Sequence, residues 1–276
     1  MPSPFEFPLL LVLLMTAVIH LVEALSYSVS FVGLKTRRLA TAGTLFGMVL
    51  LVSRTANMVQ GVLLASIADD TIRNELAVDS FERTLRLVLL AATMGSVCGA
   101  LLLPTFVRYM TKGIEVFVRY GSYSGLIGAL LRRGGFSRED LGRVTKAFSP
   151  PKSEQVKVTP FGAIPVWFYV VDILVTAIFT VGVISALYAG VLAPDHRSAT
   201  GQMSGVVNGI ATALLFLVIS PRVSNYVDAA LADPAKIHSV RTMAVTLVVG
   251  KTVGTLASQV FLKPGADLIA ALARWL

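Results

Sequence analysis

The sequence predicts an all-α integral membrane protein with six transmembrane helices. Hydrophobic residues make up 55% of the 276-residue chain and charged residues only 14%, whereas a soluble domain carries about 25% charge. The mean hydropathy is +0.74, and six apolar runs reach the roughly 20 residues that a helix needs to cross a bilayer. We therefore treat residues 1–276 as a single polytopic membrane domain.

The six predicted spans cover about 9–31, 43–66, 85–106, 166–191, 202–221 and 242–262. The first apolar run begins at Pro8 without a basic segment before it and lacks a small-residue cleavage site. We therefore expect it to be a retained span and not a signal peptide.

The connection 107–165 and the C-terminus are predicted to carry amphipathic helices at the membrane surface. Aromatic and basic residues in 107–120 favour a continuation of the third span into the interface, and 123–131 is a second apolar patch. A short capped helix is predicted over 137–148, where Ser137 precedes Asp140 by three residues. The segment 266–276 is predicted to be a separate interfacial helix.

Basic residues are distributed unequally between the two sides of the predicted bundle. Alternate connections carry sixteen Lys and Arg on one side and six on the other. The positive-inside rule then places the connection 107–165 in the cytoplasm and both termini outside. The net charge of +8 is typical of cytoplasmic loops that face anionic membrane lipids, so we expect no nucleic-acid partner.

Five ionisable side chains lie inside the predicted spans. Each costs at least about 2.5–3.5 kcal/mol at the centre of a membrane helix, so such residues are functional candidates by default. Hydrocarbon does not solvate charges, and these groups must therefore face one another or a wet cavity. They are His20, Glu23, Arg54, Asp172 and Lys251.

Uncharged polar residues accompany these groups on the same helix faces. Tyr27 follows His20 and Glu23 at the i, i+3, i+7 spacing of one face. Asn57 and Gln60 follow Arg54 in nearly the same way, and Ser53 precedes it. The first two spans are thus predicted to turn polar stripes toward a common space.

Two interpretations of the charges remain open. In one, Glu23–Arg54 and Asp172–Lys251 are buried ion pairs that hold the bundle together. We favour the other, because buried pairs are costly and contribute little stability: Arg54 and Lys251 bind an anionic substrate in a polar cavity, and Glu23, Asp172 and His20 serve as counter-ions or coupling groups.

Signals for cofactors are weak. Gly250-Lys251-Thr252 resembles the end of a phosphate-binding loop, but Val245 occupies the required glycine position. The His20-x-x-Glu23 spacing lacks the second Glu-x-x-His of a helical metal site, and Cys98 is the only cysteine. We expect neither a metal nor a cofactor.

Small residues predict where helices pack closely. Gly43, Gly47 and Gly61 on the second span, and Gly250 and Gly254 on the sixth, are the candidate seams.

Residues 20–60 resemble the Amj family of bacterial membrane proteins. The most specific matches are Glu23-Ala24-Leu25-Ser26-Tyr27-Ser28, the basic turn Lys35–Arg38, and Val52-Ser53-Arg54-Thr55-Ala56-Asn57-Met58. Chain length and the six-span pattern also fit, whereas no comparable motif is apparent across 165–276.

The resemblance implies a lipid II flippase of the bacterial inner membrane and not an enzyme. Such a protein moves the undecaprenyl-diphosphate-linked disaccharide-pentapeptide of peptidoglycan synthesis to the outer leaflet. Arg54 and Lys251 would then hold the diphosphate, while Asn57, Gln60, Tyr27 and Ser53 would hydrogen-bond phosphate or sugar. We expect membrane lipids as further partners and a homodimer, since six spans enclose little volume.

Three alternatives involve another class of protein or another substrate. The first is an intramembrane enzyme acting on undecaprenyl diphosphate, with Ser53 or His20 as nucleophile and Glu23 as base. The others are a non-catalytic partner protein of a cell-wall complex and an exporter of a different polyprenyl-linked sugar.

Overall fold

The protein is a bundle of long helices. The computed structural model describes residues 6–132 and 164–275, and this part contains no β-strand. Six helical segments in it are long and apolar enough to cross a membrane, which confirms the predicted fold class and number of spans. They are Phe7–Thr36, Leu39–Arg73, Val78–Tyr120, Val166–Leu192, Pro194–Ala232 and Pro234–Trp275.

Nine α-helices build these spans and their extensions within the described residues. They are α1 Glu6–Ser26, α2 Val29–Thr36, α3 Leu39–Arg73, α4 Val78–Tyr120, α5 Tyr123–Arg132, α6 Val166–Leu192, α7 Arg197–Leu214, α8 Ser220–Ala232 and α9 Ile237–Trp275. The first span consists of α1 and α2, and the fifth of α7 and α8.

The helices α4 and α5 occupy the beginning of the predicted cytoplasmic connection. Residues 107–120 continue α4 without a break, as predicted, and α5 covers the second apolar patch. The helix predicted over 137–148 lies outside the described residues.

The C-terminal segment differs from its prediction. Residues 266–275 belong to α9, which runs unbroken from Ile237 through Pro264 to Trp275. Beyond the proline, the small or apolar side chains of Ala266, Ile269 and Ala270 are buried in the core. This buried face packs the final turns onto the bundle, so the segment is not a separate helix.

The first span is interrupted inside the membrane, which the prediction of one continuous span over 9–31 did not anticipate. α1 ends at Ser26 and α2 begins at Val29. The hydroxyl of Ser26 donates to the carbonyl of Glu23 at 2.6 Å, and that of Ser28 donates to the carbonyl of Leu25 at 2.8 Å. The Ser26 hydroxyl therefore provides a donor for the Glu23 carbonyl at the end of α1, and the Leu25 carbonyl accepts the Ser28 N–H at 3.1 Å as well.

The fifth span contains a second irregularity. Between α7 and α8, Leu215–Ile219 forms a π-helical stretch, and Pro221 follows it in the first turn of α8. A proline removes the N–H that an α-helix would use at this point, and π-bulges are a common way to absorb such a disruption.

Close helix packing occurs at different glycines from those predicted on the second span. In the described part of the chain, no atom beyond the glycine's own stretch of helix lies within 4 Å of the position that a Cβ would take at Gly43, Gly47 or Gly61, so the prediction of a seam at these glycines is wrong for the bundle that the structure describes. The close contact is made by α4 instead, where a Cβ at Gly95 would meet the main chain of Ala17. Small residues on a span do not distinguish a packed face from a lipid-facing one.

The predicted seam on the sixth span is confirmed. A Cβ at Gly250 would meet the carboxylate of Asp172, and one at Gly254 would meet Thr176. These glycines let α9 lie directly against α6, which brings Asp172 and Lys251 into the same region of the bundle.

Candidate functional site

A cavity of about 570 Å³ lies among α1, α3, α6, α7 and α9. Every polar residue that the sequence singled out as a site candidate lines it. These residues are His20, Glu23, Tyr27, Ser53, Arg54, Asn57, Gln60, Asp172 and Lys251. Four separate spans therefore contribute their in-membrane polar groups to one space.

The central ion pair of the cavity joins Lys251 to Glu23. The Lys251 Nζ donates to Glu23 Oε2 at 2.7 Å, and the lysine side chain is 6% exposed while that of the glutamate is 42% exposed. The predicted pairs Glu23–Arg54 and Asp172–Lys251 are not formed. The reason is geometric: α9 carries Lys251 to the carboxylate of α1, whereas Arg54 projects from an exposed face of α3.

Asp172 supplies a second carboxylate close to this pair. Its residue is 2% exposed, and its Oδ2 accepts no hydrogen bond. His20 Nδ1 lies 3.6 Å from Glu23 Oε2 and likewise has no hydrogen-bond partner. The cluster thus contains one buried cation, two carboxylates and an imidazole.

Arg54 is placed differently from Lys251. Its side chain is exposed at the cavity wall, as is that of Asn57 one turn further along α3. Among the described residues, no carboxylate forms an ion pair with it. A guanidinium inside a membrane span without a direct ion-pair partner among the described residues is well placed to bind an anion, and its planar fork suits phosphate oxygens.

The cavity also contains threonines that sequence reasoning missed. Gln60 Nε2 donates to Thr16 Oγ1 at 2.6 Å, and Thr176 and Thr180 line the wall that α6 provides. Helical spacing places these threonines on the faces of the charged residues, since Thr16 precedes His20 by four residues and the other two follow Asp172 by four and eight. This pattern was not distinctive enough to predict them, because threonine is common in apolar helices.

An ion pair joins α3 to α7 beyond the residues that line the cavity. Asp69, near the end of α3, pairs with Arg197 at the start of α7. Further along α7, Asn208 lines the cavity and lies against Gly182 of α6.

The arrangement suits binding better than catalysis. No hydrogen bond joins Ser53 to His20 or Glu23, so a serine nucleophile would lack its base. The described residues contain no group of three His, Cys, Asp or Glu side chains that could hold a metal ion. The chemistry present is two cations, two carboxylates and several hydrogen-bonding groups inside a membrane bundle.

Comparison with known proteins agrees with this geometry. A family model described as "Amj: Alternate to MurJ" matches residues 15–273. The lipid II flippase Amj of Bacillus subtilis (strain 168) is 33% identical over 257 residues, which is 93% of each chain. No solved structure matches. The match spans nearly all of the chain, including the second half for which the sequence offered no motif, and the protein is a member of the Amj family.

Proposed function

We propose that the protein is a lipid II flippase of the bacterial inner membrane. It would move the undecaprenyl-diphosphate-linked disaccharide-pentapeptide from the inner to the outer leaflet for peptidoglycan synthesis, as a transporter and not an enzyme. Membership of the Amj family and the name of the Bacillus relative support this proposal. The excess of basic residues in alternate connections supports an orientation with both termini outside.

The observation that carries the proposal is the position of Arg54. It stands inside a membrane span, at the wall of a polar cavity, and no described carboxylate lies within ion-pair distance of it. A diphosphate linked to a lipid tail is an anion that reaches this depth from within the bilayer. Binding it would offset the cost of keeping the guanidinium there.

The second cation would join the substrate by exchanging partners. Lys251 is held by Glu23 at 2.7 Å, and an arriving diphosphate would compete for it with more than one negative charge. Glu23 would then take a proton, with His20 beside it, or turn to the polar part of the cavity. Moving one charge across the membrane is worth about 2.3 kcal/mol per 100 mV. Transport could therefore be driven by the membrane potential acting on the charged headgroup or by proton uptake on Glu23 or His20.

The size of the cavity implies that the bundle opens during transport. A volume of about 570 Å³ lies in the range of roughly 300–1,000 Å³ that holds a drug-sized ligand. That space suits the diphosphate and an adjoining sugar, whereas the complete headgroup is larger. We place the opening between α3 and α7, where the lipid tail can remain in the bilayer and where the Asp69–Arg197 pair links the two helices.

The test is the accessibility of lipid II on the outer face of cells depleted of other flippases. Cells that express the protein should expose lipid II, and the variants Arg54→Ala and Glu23→Ala should not, although both insert and purify normally. Arg73→Ala is the control, because it removes an exposed cation near the end of the same helix. Full activity of the two cavity variants would contradict the proposal.

We also propose that the protein acts as a homodimer, because one bundle encloses too little space for the whole headgroup. A monomeric mass in a mild detergent that preserves flipping would contradict this.

A further inference from the structure

A second cavity, of about 420 Å³, lies between α2, α4 and α9 and shares no lining residue with the first. We call it the α4–α9 groove. Much of its wall is apolar, a lining that water does not favour but an acyl chain does. The leucines and valines in this wall are Leu101, Leu103, Val107, Val245, Val248 and Val249.

A proline lies in the wall of this groove. Pro104 is inside α4 and lines the groove together with Ala100. A proline has no N–H to donate to the carbonyl four residues earlier. The Ala100 carbonyl therefore lacks its usual intrahelical hydrogen bond at a point that lines the groove.

Three cations line the same groove: Lys35 of α2, Arg108 of α4 and Arg241 of α9. Each belongs to the connections that the positive-inside rule assigns to the cytoplasm. Lys35 and Arg108 are exposed, and neither forms an ion pair with a residue that the structure describes. An apolar slot with a basic mouth at headgroup depth matches a lipid that has a negative headgroup.

We propose that the α4–α9 groove binds an anionic glycerophospholipid of the inner leaflet, with one acyl chain along the aliphatic wall and its phosphate at Lys35, Arg108 and Arg241. This site is separate from the substrate cavity and does not depend on the proposed function. It lies directly beside the interruption of the first span, because Ser28 lines the groove while the preceding Tyr27 lines the substrate cavity. A lipid in the groove would therefore contact α2 on the side that faces away from the substrate cavity.

The experiment is native mass spectrometry of the full chain after incubation with equal amounts of dioleoyl-phosphatidylglycerol and dioleoyl-phosphatidylethanolamine. We expect retention of one phosphatidylglycerol in preference to the zwitterionic lipid. The double variant Lys35→Gln/Arg108→Gln should bind it about tenfold more weakly or worse, since each basic residue near the surface contributes substantially to such binding. Val245→Trp should also reduce binding, by filling the apolar part.

The matched control is Arg38→Gln/Lys112→Gln, which removes two exposed cations from the same end of the bundle but outside the groove. An equal loss of binding in this control would mean diffuse attraction to the surface and would overturn the proposal. Unchanged binding in Val245→Trp would do the same. Preferential retention of undecaprenyl phosphate, added as a third probe, would assign the groove to the transported lipid instead.

Discussion

The ion pair between Glu23 and Lys251 gives a prediction that separates structure from transport. Three variants are needed: Glu23→Gln, Lys251→Met and the double variant that carries both changes. Each single change leaves one member of the 2.7 Å pair without its partner, whereas the double change removes both charges and leaves side chains of similar volume. The comparison measures the coupling between the two groups.

The magnitude follows from burial. Breaking a fully buried pair costs about 3–5 kcal/mol, but the Glu23 side chain is 42% exposed, so we expect about 2 kcal/mol for Glu23→Gln. Lys251→Met should cost about 3 kcal/mol, because Asp172, which is 2% exposed, also loses the cation that acts on it. The double variant should cost about 3 kcal/mol and not the sum of about 5.

The assay is the midpoint of thermal unfolding in one detergent at one heating rate. At about 2–4 °C per kcal/mol for a chain of this size, Lys251→Met and the double variant should both melt roughly 6–12 °C below the parent. All three variants should fail to flip lipid II, since each removes a group of the cavity. Strictly additive losses would refute the reasoning, because the two groups would then not be coupled.

Three further predictions concern Arg54, the Asp69–Arg197 ion pair and the glycine contacts. Arg54→Lys should lose flipping by about tenfold or more in the lipid II accessibility assay although the charge is kept, because an ammonium cannot bind phosphate bidentately; activity near that of the parent would show that charge alone suffices. Asp69→Arg should abolish flipping, because the new arginine would repel Arg197. The double variant Asp69→Arg/Arg197→Asp exchanges the two charges and should regain activity. If that double variant folds stably but stays inactive, this pair has no such role. Gly95→Ala should destabilise the folded protein by about 1–3 kcal/mol, because the new Cβ would collide with α1. Gly43→Ala, with open space around it, should be neutral or should stabilise the protein by up to about 1 kcal/mol. Equal midpoints of thermal unfolding for the two variants would contradict the packing described.

The membership of the cavity could be predicted from the sequence because lipid imposes a strong constraint. A charge such as Arg54 or Asp172 in a span must face protein or water, so helix periodicity alone indicated which neighbours would accompany it. Asn57 and Gln60 were found in this way, and the structure places them at the cavity wall. The number of spans followed from hydropathy for the same reason.

The pairing inside the cavity could not be predicted. Whether Glu23 meets Arg54 or Lys251 depends on the rotation of each helix and on which helices are neighbours, and no local pattern encodes either. The glycines illustrate the same limit, since Gly43 and Gly95 have similar sequence surroundings but only Gly95 faces another helix. The interruption after Ser26 could not be predicted either, because no proline marks it in the sequence.

The two interruptions give the bundle a mechanical asymmetry. The first span breaks at Tyr27 and the fifth at Leu215–Ile219, and both points border the substrate cavity. α2 and α8 lie beyond these points and belong to one hydrophobic cluster through Leu34 and Ala230, while α4 and α9 each continue as a single helix through an internal proline. Bending at the two irregular points would move α2 and α8 together relative to α4 and α9, so access to the cavity can change with few main-chain hydrogen bonds broken.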